Sequence, residues 1–149
     1  MNRKDFLISC GGLCAAFAGI SLVSSCGGIH QVQATAAGAI LSVSKEEFKL
    51  VKDGQTNWRK MILVRSARTN FPIALFRLSE SDYSALLMEC THQGCELNPA
   101  GDFLVCPCHG SEFDKAGRVQ NPPAEQNLKR FKTSSDEKTI TIHTDSYVS

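Results

Sequence analysis

Two short boxes constrain this chain more than anything else in it: Cys90-Thr91-His92-Gln93-Gly94-Cys95 and Cys106-Pro107-Cys108-His109-Gly110-Ser111. Each offers a Cys and a His at close range, as C-x-H in the first and C-x-x-H in the second. Two thiolates and two imidazoles can hold a structural zinc ion tetrahedrally. They can equally hold a [2Fe–2S] centre in which one iron takes two Cys and the other two His. Zinc modules usually pair Cys with Cys and His with His, with two or more residues between. Here each box supplies one of each. Two facing loops could then turn both thiolates toward one metal and both imidazoles toward a second, an arrangement that zinc does not need. The spacing favours the two-iron centre and leaves a structural zinc-binding module as the alternative.

The sequence around the boxes reads as short strands. Runs at Ala39 to Val43, Phe48 to Val51, Lys60 to Arg65, Ile73 to Leu78 and Ser84 to Met88 are β-rich or apolar and are broken by Gly, Asn, Asp or Pro. Shorter runs follow at Leu104 to Cys106, Ser111 to Asp114 and Arg118 to Val119. A hairpin closes the pattern, with Leu128 to Thr133, a polar turn over 134–138, and alternating Thr/Ile from Thr139 to His143. No stretch after Gly38 holds a helical period over three turns. The fold class expected is all-β, an antiparallel β-sandwich with a small cluster-binding subdomain formed by two loops. Residues 39–149 suffice for one modest core.

The N-terminus has a different character. Arg3 and Lys4 precede an apolar stretch from Phe6 to Val23, the layout of an export signal. It ends Leu22-Val23-Ser24-Ser25-Cys26-Gly27-Gly28, which resembles a bacterial lipobox. That resemblance implies a signal peptide over 1–25, cleavage before Cys26 and a diacylglycerol thioether on its sulfur. An uncleaved membrane anchor is the alternative, since the span from Phe6 to Ser25 is long enough to cross a bilayer. The Arg-Lys pair also resembles a twin-arginine signal with its second Arg replaced. Residues 26–38 are small and polar and read as a lipidated Cys followed by a flexible tether, about 20 Å long as a random coil. The location expected is the bacterial cell envelope, exported and membrane-anchored. Net charge is +1 with no long basic run, which gives no footprint for nucleic acid.

The two boxes together resemble the Rieske motif, C-T-H-x-G-C followed by C-P-C-H-G-S, and Pro122-Pro123-Ala124 resembles that family's proline loop. The resemblance implies one [2Fe–2S] cluster, with Cys90 and Cys106 on the inner iron and His92 and His109 on the outer. It implies a Cys95–Cys108 disulfide joining the two loops. The seven cysteines are then accounted for, with Cys10 and Cys14 as filler in the signal and Cys26 lipidated. A disulfide needs an oxidising compartment, which the export signal would supply. Rieske proteins with this Cys pair include subunits of cytochrome bc-type complexes and of arsenite oxidase.

The function this implies is one-electron transfer within a membrane-associated respiratory or oxidoreductase complex. The expected partners are a redox protein such as a cytochrome and, further, a quinol. An electron-relay subunit of an arsenite-oxidase-like enzyme is the alternative assembly. No residues for substrate chemistry stand out beyond the cluster, so the chain reads as an electron-transfer subunit and not as a complete enzyme. Ser111 matches a family Ser whose hydroxyl donates to a bridging sulfide. Phe113 stands where the high-potential pattern has a Tyr donating to a Cys sulfur, which lowers the expected potential. Gln93 replaces an apolar Leu of the bc-type pattern beside the outer His and puts quinol docking in doubt. His30 and His143 read as surface or packing residues.

Overall fold

The computed structural model describes residues 28–148, and the expected signal, its cleavage site and Cys26 lie outside them. Among the described residues, fourteen strands and one short 3-10 helix make up the fold. Strands β6 (Met61–Arg65), β7 (Ile73–Arg77) and β8 (Tyr83–Leu87) form a meander whose residues are nearly all buried. They read in the sequence as continuous apolar runs because both of their faces are covered. Ile62, Val64, Ile73, Leu75, Tyr83, Ala85 and Leu87 point into one core. Leu63, Ala74, Phe76 and Leu86 alternate with them and point into a second.

The first core lies within the larger sheet. β13 (Arg130–Ser135) and β14 (Thr139–Val148) continue from β8, and β3 (Ile40–Ser44) pairs with β14. Leu41, Val43, Phe131, Ile140 and Ile142 fill it from that side, with Phe48 from the 3-10 turn Lys45–Phe48. Two further strands sit at the two edges of this sheet. β1 (Gln31–Gln33) runs parallel to β6, and β2 (Thr35–Ala37) pairs antiparallel with β3. Only the buried Ala34 separates them, so one segment bridges both edges and closes the sheet upon itself. Apart from the β1–β6 pair, every strand pairing among the described residues is antiparallel. The structure is thus the expected all-β sandwich.

The flexible tether expected over 26–38 does not extend through these residues, because β1 and β2 are hydrogen-bonded strands. Their small, polar side chains hide this, since the backbone makes the pairing and the side chains stay mostly exposed. The expected domain boundary at Ala39 therefore moves toward the N-terminus.

The second core joins the large sheet to a small lobe of β9 (Asn98–Ala100), β10 (Phe103–Val105), β11 (Glu112–Asp114) and β12 (Val119–Asn121). Leu97, Leu104, Phe113, Ala124 and Leu128 pack there against Leu63, Phe76, Leu86 and Met88. Burying each large apolar side chain contributes about 1.5–3 kcal/mol, so the lobe is fixed to the sheet by its own core. A separate ribbon, β4 (Lys49–Lys52) and β5 (Gln55–Trp58), turns through Asp53-Gly54, both at positive φ.

The turn between β11 and β12 is closed by Asp114. Its carboxylate accepts N–H bonds from Ala116 at 2.8 Å and Arg118 at 3.0 Å, while the Arg118 guanidinium lies 2.8 Å away. Burial pushes this carboxyl upward, but the Arg118 and Ala116 N–H bonds and the Arg118 charge outweigh it and hold Asp114 below the usual carboxylate range. A lowered native value means that the folded state binds the proton less tightly than the unfolded chain. The contribution is complete above about pH 4, where the unfolded carboxylate is ionised, and is lost as pH falls through the native value. We expect Asp114→Asn to lose about 1–2 kcal/mol at pH 7 and to destabilise less steeply than the parent toward acid, in urea titrations between neutral pH and pH 3.

Candidate metal centre

β8 runs into the first box and β10 into the second, and the two loops are built alike. In the first, the Cys90 N–H donates to the Cys95 carbonyl and the Gly94 N–H returns to the Cys90 carbonyl, each at 2.8 Å. In the second, the Cys106 N–H donates to the Ser111 carbonyl at 2.8 Å and the Gly110 N–H to the Cys106 carbonyl at 3.0 Å. The glycine of each loop has φ near the left-handed region, 75° for Gly94 and 78° for Gly110, which side-chain-bearing residues seldom adopt. The regularity of the two boxes in sequence is therefore a regularity of backbone geometry.

A disulfide between Cys95 and Cys108 joins the loops, as the resemblance implied. That leaves Cys90 and Cys106 free, and both are buried, each 2 % exposed. Their thiols lie close enough to influence one another's ionisation. Burial is the main influence pushing the Cys90 thiol up. Burial raises Cys106 too, but the Cys90 thiol and the N–H groups of Cys108 and His109 outweigh it and bring Cys106 below the usual thiol range. The N–H groups of His92 and Gln93 serve Cys90 in the same way. The backbone N–H groups of each loop pull its thiol toward thiolate, but only at Cys106, with the Cys90 thiol beside it, is burial outweighed.

His92 and His109 are exposed, and their rings meet edge to face with centroids 5.1 Å apart. All four residues that the sequence singled out are therefore brought together, sorted into an inner pair of thiols and an outer pair of rings. The Cys106 sulfur also lies within 4.8 Å of the Cys95 and Cys108 sulfurs, but those two are spent on each other and offer no thiolate.

A third loop braces both boxes. The Thr91 hydroxyl donates to the Gln126 carbonyl at 2.6 Å, and the Asn121 amide to the Gly110 carbonyl at 3.0 Å. The buried Ser111 hydroxyl accepts the Ala124 N–H at 2.9 Å, and among the described residues its proton has no protein acceptor. Phe113 is fully buried beside Leu104, and carries no hydroxyl to donate. Gln93 is exposed beside His92. His30 and His143 are elsewhere, bonded to Glu47 at 2.7 Å and to Ser134 at 3.2 Å. Thr91, Asn121 and Gln126 had no visible role in the sequence; a polar residue in a Pro-containing loop was the only available signal.

The donor set fits the two-iron centre. Zinc takes its ligands around one ion, whereas here two thiols and two imidazoles separate into a buried and an exposed pair. Ser111 adds a buried O–H with its proton unspent, suited to a sulfide acceptor. The model of the Rieske [2Fe-2S] domain matches residues 38–132. This chain belongs to the Rieske family.

The domain brings one [2Fe–2S] cluster and electron transfer with it. Curated relatives include the mitochondrial Rieske subunit of the cytochrome b-c1 complex. That of Aotus azarae is 32% identical over 132 residues, 71% of this chain and 48% of that protein, and that of Bos taurus matches to the same extent. The chain spans about half the length of these relatives. Among solved structures, the cyanobacterial plasma membrane Rieske protein PetC3 from Synechocystis PCC 6803 is 28% identical. It aligns with a TM-score of 0.49 over 56% of this chain and 85% of that one.

The disulfide closes a loop between residues 13 apart in sequence and ties two segments that the lobe core holds only at their bases. We expect Cys108→Ser to cost about 3 kcal/mol by the loop-closure estimate. Thermal unfolding of the purified holoprotein, followed in parallel by loss of visible absorbance, checks this; an unchanged midpoint with full cluster retention would contradict it.

Proposed function

We propose that this chain is the electron-transfer subunit of a membrane-associated oxidoreductase assembly, with Cys90 and Cys106 holding the inner iron of its cluster and His92 and His109 the outer. The observation that carries the reading is the sorting of the four side chains: two thiols buried, two rings exposed and in contact. When bound, the cluster supplies reversible one-electron chemistry, and imidazole ligands set its potential at roughly −150 to +300 mV against about −400 mV for all-Cys plant-type clusters. The protein's own part is to hold the inner pair away from water, to aim backbone N–H groups at its sulfurs, and to present the two rings at the surface.

A lipid on Cys26 and export to the cell envelope complete this proposal. They rest on the lipobox and on the Cys95–Cys108 bond, which belongs in an oxidising compartment. The partner class favoured is a redox protein such as a cytochrome. The curated b-c1 relatives leave a quinol as a further donor, but the exposed face next to His92 offers the polar amide of Gln93. A polar group left facing an apolar ring pocket loses its water without a replacement bond. Co-purification of the membrane-extracted protein with its neighbours tests the assembly directly.

EPR of the reduced protein tests the cluster itself, because a zinc domain gives no signal. The tuning residues give a finer test. Ser111→Ala removes a buried donor and should lower the reduction potential, while Phe113→Tyr supplies the missing hydroxyl and should raise it. Protein-film voltammetry of both variants checks the pair; equal potentials in all three proteins would refute the assignment of these positions.

A further inference from the structure

We propose that the end of the molecule opposite the two cluster loops is a membrane-contact face, seated on the headgroup region of an anionic phospholipid bilayer. The proposal rests on the lipid at Cys26 and adds a surface to it. Strand direction defines the two ends. β8 and β10 both run toward the cysteine boxes, so the β7–β8 turn at Leu78–Asp82 and the β9–β10 turn at Gly101-Asp102 lie at the other end. The chain enters there too. Gly28 and Ile29 share a cleft with Arg59, Lys60, Pro99 and Gly101, and β1 then runs parallel to β6, toward the cluster. Cys26 is two residues before Gly28, a reach of at most about 7 Å when extended. A lipid on its sulfur would hold this end, and no other, at the bilayer.

Five of the eight large apolar side chains exposed among the described residues lie at the same end, while Ile40, Tyr147 and Val148 lie toward the other. Ile29, Leu50, Val51, Trp58 and Phe103 belong to elements rooted there, with Val51 the most exposed at 71%. Three of them lie on the β4–β5 ribbon, which is hydrogen-bonded as a sheet of two strands only. Trp58 stands at its base with the Arg77 guanidinium 4.6 Å and the Lys49 ammonium 5.8 Å from its ring. An aromatic ring with cations beside it, next to aliphatic side chains, is the composition of membrane-interface belts. Lys52 adds exposed positive charge that anionic headgroups attract, while the exposed Lys60 is paired with Asp102 at 3.3 Å. A protein bound to this face would have to displace a bilayer already within reach of the anchor.

The consequence for function follows from the same geometry. With this face on the membrane, His92 and His109 point into the aqueous compartment, where a water-soluble redox protein reaches them.

Trp58 is the only tryptophan, which makes it the probe. The holoprotein, lipidated and as Cys26→Ser, is mixed with phosphatidylglycerol-containing vesicles whose acyl chains are plain or brominated near the headgroup. Trp58 emission is expected to shift to the blue and to fall by roughly half on the brominated vesicles. In the Cys26→Ser form, Val51→Asp with Phe103→Asp should weaken vesicle partition by at least about tenfold, with the visible spectrum of the cluster unchanged. Equal emission on both kinds of vesicle, with mass spectrometry showing a diacylated Cys26, overturns the contact face and leaves the anchor intact. Bare Cys26 with Trp58 still quenched leaves the face standing and removes the anchor. Shielding of Trp58 by a co-purifying protein, with no lipid quenching, also overturns the proposal.

Discussion

The structure depends on the burial of β6, β7 and β8 on both faces. One face closes the core of the large sheet; the other is the wall on which the small lobe rests. Cys90 follows Met88 and Glu89 directly out of β8, and Met88 is itself buried in the second core with Cys90 and Cys106. The position of the first box is thus set by packing that continues from the middle of the domain. The second box is set by Leu104, fully buried one strand position before the chain turns into Cys106. Rigid sheets carry the two loops, and the loops need only cross the short gap between them.

Two loops of the same construction would give a symmetric site, yet the metal centre is asymmetric. Burial makes the difference. The first residue of each loop is anchored in the second core, so both thiols are withdrawn from water, while residues two and three positions further on swing out with their rings exposed. A low-dielectric interior raises the cost of charge, and each sulfur has backbone N–H groups to offset it. The exposed imidazoles carry no such burden. The division between thiols and imidazoles therefore follows the division between protein interior and solvent.

Much of this was legible in the sequence, for reasons that differ by element. The apolar runs at 60–65, 73–78 and 84–88 mark their strands plainly, and the resemblance carried by the boxes implied the bond between Cys95 and Cys108. The strands left unread share one property, that backbone and not side chains holds them. β1 and β2 are small and polar, β9 contains Pro99, and every side chain of β5 is exposed. The turn into β5 did carry a signal, since Asp-Gly between two strands favours a two-residue turn with both φ positive, as observed at 53° and 75°. Hydrophobic alternation on either side of it was absent, and the pattern went unread. The bracing of the boxes by Thr91, Asn121 and Gln126 is also a matter of long-range backbone placement, with the Thr91 bond spanning 35 residues.

β1 and β2 matter beyond the count of strands. A flexible tether through residue 38 would have allowed the domain to turn either end toward a membrane. The pairing of Gln31 with Leu63 and of Val32 with Val64 instead fixes the direction in which the chain leaves the domain. That direction is along β6, away from the boxes, and it is reinforced by the half-buried His30–Glu47 contact at the start of the strand. The segment that closes the sheet is thus also the segment that sets where any N-terminal attachment emerges. Closure costs the chain its reach, and in return the exposed histidines acquire a fixed orientation relative to that attachment. An electron carrier whose redox edge is aimed in this way selects its partner by position as well as by contact.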